Sequence, residues 1–258
     1  MALSNIFTLL LNSIFLLYST VKLLLFPLQD YSEECVLNYF HWYRNIFWIF
    51  IFLVAFVGVV GAFSNNQGLL ALYLFGVVVA FILLLTVLIF GLVVTSKDGS
   101  YKVPGCGYKE YRLDRYSHWL RNHVTNSNYW LDIVACLVYS DVCNTVHQDY
   151  PTADRFLSVH LSPIQSGCCK PPSSCGFKYV KTFWINATNP TAAMDCQLWG
   201  NKEIVRCYNC DACKAGILGN LIMEWKKTEM KLIVALVVLV LVYLIGWCDY
   251  KNAENEHK

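Results

Sequence analysis

The sequence predicts an all-α integral membrane protein: four transmembrane helices in a bundle, with a large extracellular loop domain that is mostly helical and stapled by disulfides. Three observations predict it. Four apolar runs are each long enough to cross a bilayer. Ten of the 12 cysteines crowd into one segment, from Cys106 to Cys213. Charged residues make up only 15% of the 258-residue chain and fall mostly between Lys97 and Glu229. The apolar excess therefore sits in the runs and not in a single soluble core.

The runs occupy residues 6–26, 46–63, 69–94 and 231–247. About 17–25 residues of helix cross the hydrocarbon core. Backbone groups in lipid must satisfy one another, so each run reads as a helix. The first is interrupted by Asn12, Ser13, Ser19, Thr20 and Lys22. No basic side chain precedes it, as one would in a cleaved leader, so it reads as a retained helix. Lys22 lies near its outer end, where it can snorkel to the headgroups. Small residues mark helix-packing positions: Gly58 and Gly61 on the second run, Gly76 and Ala80 on the third. Asn12 is expected to face a neighbouring helix. No Asp, Glu or Arg falls within the four runs, which argues against an ion pathway or proton relay. A net charge of +2 without a basic cluster argues against a nucleic-acid partner.

Four passes put both termini on one side. The loop Ser64-Asn65-Asn66-Gln67-Gly68 has no Lys or Arg, so the charge rule for orientation is nearly silent. Cysteine density decides, because disulfides persist in oxidising compartments. The sequon Asn186-Ala187-Thr188, in the same segment, makes Asn186 the N-glycosylation candidate. The expected topology is a cytosolic N-terminus (1–5), a small extracellular loop (27–45), a cytosolic loop (64–68), a large extracellular loop (95–230) and a cytosolic tail (248–258).

Inside the large loop, Tyr111, Leu113, Tyr116, Trp119, Leu120 and Val124 give a helical face, and helical spacing recurs from Tyr129 to Tyr139. From Pro151 onward Pro, Ser, Asn and Cys break the pattern, which reads as irregular structure. Residues 212–227 return to helical spacing and are expected to run on into the fourth span. Disulfide candidates are Cys106, Cys136, Cys143, Cys168, Cys169, Cys175, Cys196, Cys207, Cys210 and Cys213. Their connectivity stays open. In Gly167-Cys168-Cys169-Lys170-Pro171-Pro172 the adjacent cysteines need distant partners, since bonding each other would strain the ring. Cys207-x-x-Cys210-x-x-Cys213 has spacing compatible with metal ligands or a redox pair, but disulfides are the favoured reading. Tyr129, Trp130, Phe177, Tyr179, Phe183 and Trp184 serve as partner contacts or a small core, with core favoured. His118, His123, His147 and His160 are scattered, and no nucleophile elbow, phosphate loop or zinc-helix motif occurs. The sequence thus predicts no catalytic, cofactor or metal site.

This pattern resembles the tetraspanins. Gly167-Cys168-Cys169-Lys170-Pro171 looks like the land-plant form, where animal members carry Cys-Cys-Gly. The likeness covers nearly the whole chain. It includes Leu72-Tyr73-Leu74-Phe75 opening the third run, Tyr111-Arg112-Leu113 with Trp119-Leu120, Ser162-Pro163-Ile164-Gln165, and Cys207-Tyr208-Asn209-Cys210-Asp211 followed by Cys213-Lys214-Ala215-Gly216. Cys35 is similar to the lone first-loop cysteine of plant members. The resemblance implies a plasma-membrane organiser that associates laterally with other membrane proteins, itself or other tetraspanins, and is linked in plants to differentiation and development. Family members often carry acylated cytosolic cysteines. Here the inner loop has none, and Cys248 is the palmitoylation candidate. A small-solute transporter or channel, or a membrane thiol oxidoreductase, are the competing readings.

Overall fold

The computed structural model describes residues 3–25, 41–140 and 142–256. Cys35, and the small first loop up to His41, lie outside them. Helices and strands follow in the order α1 (Leu3–Leu25), α2 (His41–Ser64), α3 (Gln67–Val94), β1 (Ser100–Lys102), β2 (Lys109–Tyr111), α4 (His118–Thr125), α5 (Ser127–Tyr139), α6 (Val142–Asp149), α7 (Ala153–Ser158), α8 (Pro163–Cys168), β3 (Lys178–Val180), β4 (Phe183–Ile185), α9 (Met194–Leu198) and α10 (Asp211–Glu256). The chain divides into two compact units, residues 1–90 with 228–258, and residues 91–227.

The first unit is the bundle. Among the described residues, four helices are long and apolar enough to cross a membrane: Asn5–Leu25, Asn45–Ser64, Gln67–Val94 and one within Asp211–Asn255. Large apolar side chains such as Phe7, Leu10, Ile14 and Leu17 point outward on α1, while Asn5, Thr8, Asn12 and Ser19 are buried. These four share one face at helical spacing, so α1 is polar inside and apolar outside, as suits a helix dissolved in lipid. Tyr73, Leu74, Val77 and Val242 form the buried centre, with Leu11, Phe15, Val54 and Val57 against it. A Cβ on Gly58 would lie 2.8 Å from the Tyr73 ring and 2.9 Å from Asn12 Cγ. That glycine is what admits the ring. Gly76 faces Val54, Gly61 faces Leu69 and Leu70, and Ala80 is buried.

Two boundaries differ from the hydropathy reading. The five-residue loop expected at 64–68 shrinks to Asn65 and Asn66, because Asn66 Oδ1 accepts from the backbone N–H groups of Gly68 and Leu69 and so starts α3 early. The expected tail at 248–258 is helical to Glu256. Apolar character ends near Trp247, but nothing there breaks the backbone ladder, and Lys251 pairs with Glu254 at 2.7 Å one turn on.

The second unit is the loop domain. Tyr111 opens no helix: it ends an antiparallel hairpin in which Ser100 pairs with Tyr111 and Lys102 with Lys109. Helix α4 starts only after Ser117, whose side chain accepts from the Leu120 N–H. Helix α6 matches no sequence expectation. The stretch after Pro151 holds short helices and the hairpin β3–β4, in which Tyr179 pairs with Trp184 and Val180 with Phe183. Val103, Tyr108, Val146, Phe156, Tyr179 and Trp184 close around one another as the core.

Candidate functional site

The Cys168-Cys169-Lys170 motif is the hub of the loop domain. Its approach is fixed by α8, which opens on a capping box. Ser162 accepts from the Gln165 N–H, Gln165 reaches back to the Ser162 N–H, and Pro163 takes the first turn. The helix ends at the cysteine pair, whose side chains diverge. Cys168 bonds Cys213 in the first turn of α10, and Cys169 bonds Cys143 in α6. One point of chain thus holds two other helices. Gly167 makes the crossing possible, since its Cβ would lie 3.1 Å from Gly216 Cα on α10. Cys175 bonds Cys196, and Cys207 bonds Cys210 across a tight turn whose Cys207 N–H donates to the Cys168 carbonyl. Cys136 is also disulfide-bonded. Cys106 departs from the expectation: it is a thiol. An odd one is left once four bridges take eight loop cysteines and Cys136 is bonded as well.

Lys170 is buried with its ammonium against Glu110 of β2 and 4.6 Å over the Tyr108 ring. Glu110 also accepts from the Tyr101 hydroxyl at 2.7 Å, and from the Ser173 N–H and hydroxyl at 2.9 Å each. Burial pushes the Glu110 carboxyl upward, but the Lys170 ammonium and these hydroxyl donors outweigh it and hold the group below the usual carboxylate range. Both charges are satisfied, the condition for keeping an ion pair out of water. The motif lysine was visible in sequence. Its partner, 60 positions away, was not.

The six aromatics divide between core and surface. Trp184 is 6% exposed and Phe183 54%. Alternation along β4 separates them. Trp130 and Tyr179 are buried, whereas Tyr129 and Phe177 are partly covered. On the outer face of the hairpin Val180, Phe183 and Ile185 stand exposed together. Asn186, which follows β4, is exposed too. Behind the hairpin, His147 stacks on Phe156 with its Nε2 3.0 Å from the Cys169 carbonyl and its Nδ1 3.1 Å from the Tyr179 hydroxyl. His118 and His123 lie on α4, where His123 stacks on Trp119.

In the bundle, Asn12 Nδ2 donates to the Tyr73 hydroxyl at 3.0 Å. Sequence reasoning missed Asp249. The fourth apolar run ends two residues before it, yet α10 carries it into the bundle, fully buried. Its neighbour Cys248 is an exposed thiol.

Four apolar helices and a disulfide-stapled loop domain between the third and fourth spans define an all-α membrane protein of tetraspanin architecture. The chain belongs to the Tetraspanin family, whose model matches residues 1–249. It is 44% identical over 260 residues to Tetraspanin-2 of Arabidopsis thaliana, covering 99% of this chain and 96% of that one. It is 40% identical over 234 residues to Protein TORNADO 2 of Arabidopsis thaliana, covering 87% and 83%. To Tetraspanin-7 of the same plant it is 40% identical over 207 residues, covering 79% of each. No solved structure matches.

Proposed function

We propose that this tetraspanin organises other membrane proteins laterally, with the loop domain outside the cell, both termini cytosolic, and the plasma membrane as its site. The single observation carrying the reading is the outer face of β3–β4. Val180, Phe183 and Ile185 stay exposed on a framework that disulfides hold rigid. Apolar side chains presented without conformational freedom suit an interface, because little entropy is lost when a partner covers them. The Cys207–Cys210 disulfide is buried at both residues, which supports a staple over thiol exchange, since exchange needs access. The partners are other membrane proteins, including further tetraspanins or a second copy. No enzymatic step belongs to this reading. A role in differentiation and development, glycosylation at Asn186 and palmitoylation at Cys248 complete it.

Proximity labelling in intact cells tests it. V180S/F183S should reach the surface in normal amount and lose most labelled neighbours. An unchanged neighbour set at normal surface level would reject the hairpin as the partner face.

A further inference from the structure

The hairpin β3–β4 has one closed edge and one open edge. Its turn is two residues long, Lys181 and Thr182, with φ of 45° and 70°. A two-residue turn of that kind joins a hydrogen-bonded pair, here Val180 and Phe183. Pairs alternate along antiparallel strands, so Tyr179 and Trp184 form the non-bonded pair and point their backbone N–H and C=O groups away from each other. Trp184 obeys this: Asn201 accepts from its N–H and donates to its carbonyl, both at 2.9 Å. A side-chain amide thus closes the β4 edge as a third strand would. The Tyr179 groups point off the β3 edge, and among the described residues neither finds a hydrogen-bond partner.

The open edge is rigid and positively charged. Ring contacts with Phe156 and Trp184, and a hydroxyl bond to the Tyr150 carbonyl, fix Tyr179. Lys178 and Lys181 are exposed, and among the described residues neither has an acidic partner. Unpaired backbone groups on a strand edge are a template for another strand. An antiparallel occupant would set one residue opposite Tyr179, exchanging both bonds with it. Its two flanking residues would lie beside Lys178 and Val180 on the outer face. A second copy does not match this edge: pairing β3 with β3 about Tyr179 puts Lys178 against Val180 and gathers four lysines on one seam with no acid.

We infer that the β3 edge takes, by strand addition, an extended extracellular segment of a different membrane protein with the pattern apolar-x-acidic. This deepens the partner reading given above and rests on it. The apolar residue lies against Val180, which Phe183 flanks across the hairpin. The acid faces Lys178, and the middle residue completes the two backbone bonds of Tyr179. Main-chain bonds supply the anchoring, and the outer-face side chains supply the choice of partner.

Hydrogen–deuterium exchange of the full-length protein in detergent reads the edge amide by amide. The probes are the capped peptides Thr-Thr-Val-Thr-Glu-Thr-Thr and Thr-Thr-Val-Thr-Lys-Thr-Thr. The first should slow exchange at the Tyr179 amide and leave the Trp184 amide, already bonded to Asn201, unchanged. The lysine peptide should need about fivefold more for the same protection, and K178E should invert the order. No protection at Tyr179 up to the solubility limit, or equal potency of the two peptides, overturns the proposal. Proximity labelling separates this from failure of the partner reading. K178E/K181E should reach the surface and lose the same neighbours as V180S/F183S. Neighbours kept in K178E/K181E but lost in V180S/F183S leave the partner face standing and overturn its acidic strand. Neighbours kept in both reject the partner face, and the proposal with it. A tagged second copy that is lost in V180S/F183S but gained in K178E/K181E makes another copy the occupant and likewise overturns it.

Discussion

His147 is held neutral by its surroundings. Burial is the main cause, Arg206 nearby adds to it, and the bond to the Cys169 carbonyl works the other way. Together they push the imidazole down to about 4. Unfolded, the same ring titrates near 6.5. Between those values the unfolded chain binds the extra proton and the folded chain does not. Stability therefore rises with pH across the window: this contribution is complete above about pH 6.5 and is lost as pH falls toward 4. A shift of this size amounts to on the order of 3 kcal/mol. In full-length protein, the unfolding midpoint should drop steeply between those pH values, and H147Q should flatten the slope. An equally steep slope in H147Q would assign it to other groups. At this scale the sequence was legible in part. Adjacent cysteines announce two distant partners, because bonding each other strains the ring. Which partners, and that Cys106 stays a thiol, depends on three-dimensional proximity that spacing does not encode. Likewise Phe183 and Trp184 are alike in composition, and only the strand's pleat sends one out and the other in.

Helices were legible at their centres and obscure at their ends. Hydropathy reports where lipid begins and ends, whereas a helix continues as long as its backbone ladder closes. Hence α2 starts at His41, ahead of its apolar run, and α10 continues past Trp247. That overrun is why Asp249 escaped notice. In the loop domain, helical spacing found α5 but misread Tyr111, which the hairpin register with Ser100 claims for a strand. The packing glycines were readable because small residues are what close helix contact in lipid requires. Gly58 is the sharpest case. G58L would drive a side chain into the Tyr73 ring and Asn12, and should cost about 1–3 kcal/mol. Detergent-solubilised protein should melt at lower temperature, whereas G68A, exposed in the first turn of α3, should melt near wild type. Matching melts for G58L and wild type would refute the tight seat assigned to Tyr73.

For the molecule as a whole, composition and the number of apolar runs were enough to read an all-α membrane protein, since lipid dictates helix length and polarity so strictly, while the family came from the resemblance carried by motifs such as Gly167-Cys168-Cys169-Lys170-Pro171. Sidedness is another matter: few Lys or Arg flank the spans, and the expected orientation rests on redox chemistry. Protease added to sealed, right-side-out vesicles should cut the loop domain once reductant has loosened its disulfides, and should leave an epitope fused after Lys258 intact. Cleavage of that epitope with the loop spared would reverse the orientation. The inward polar stripe of α1 has a consequence for biogenesis. α1 is made before Asn65 and the Tyr73 of α3 exist to meet Asn5 and Asn12. Until they arrive, those amides face hydrocarbon or a chaperone. The nascent chain therefore carries its own mark of incompleteness, erased when α3 docks, and a chain truncated before α3 would keep displaying it to quality control.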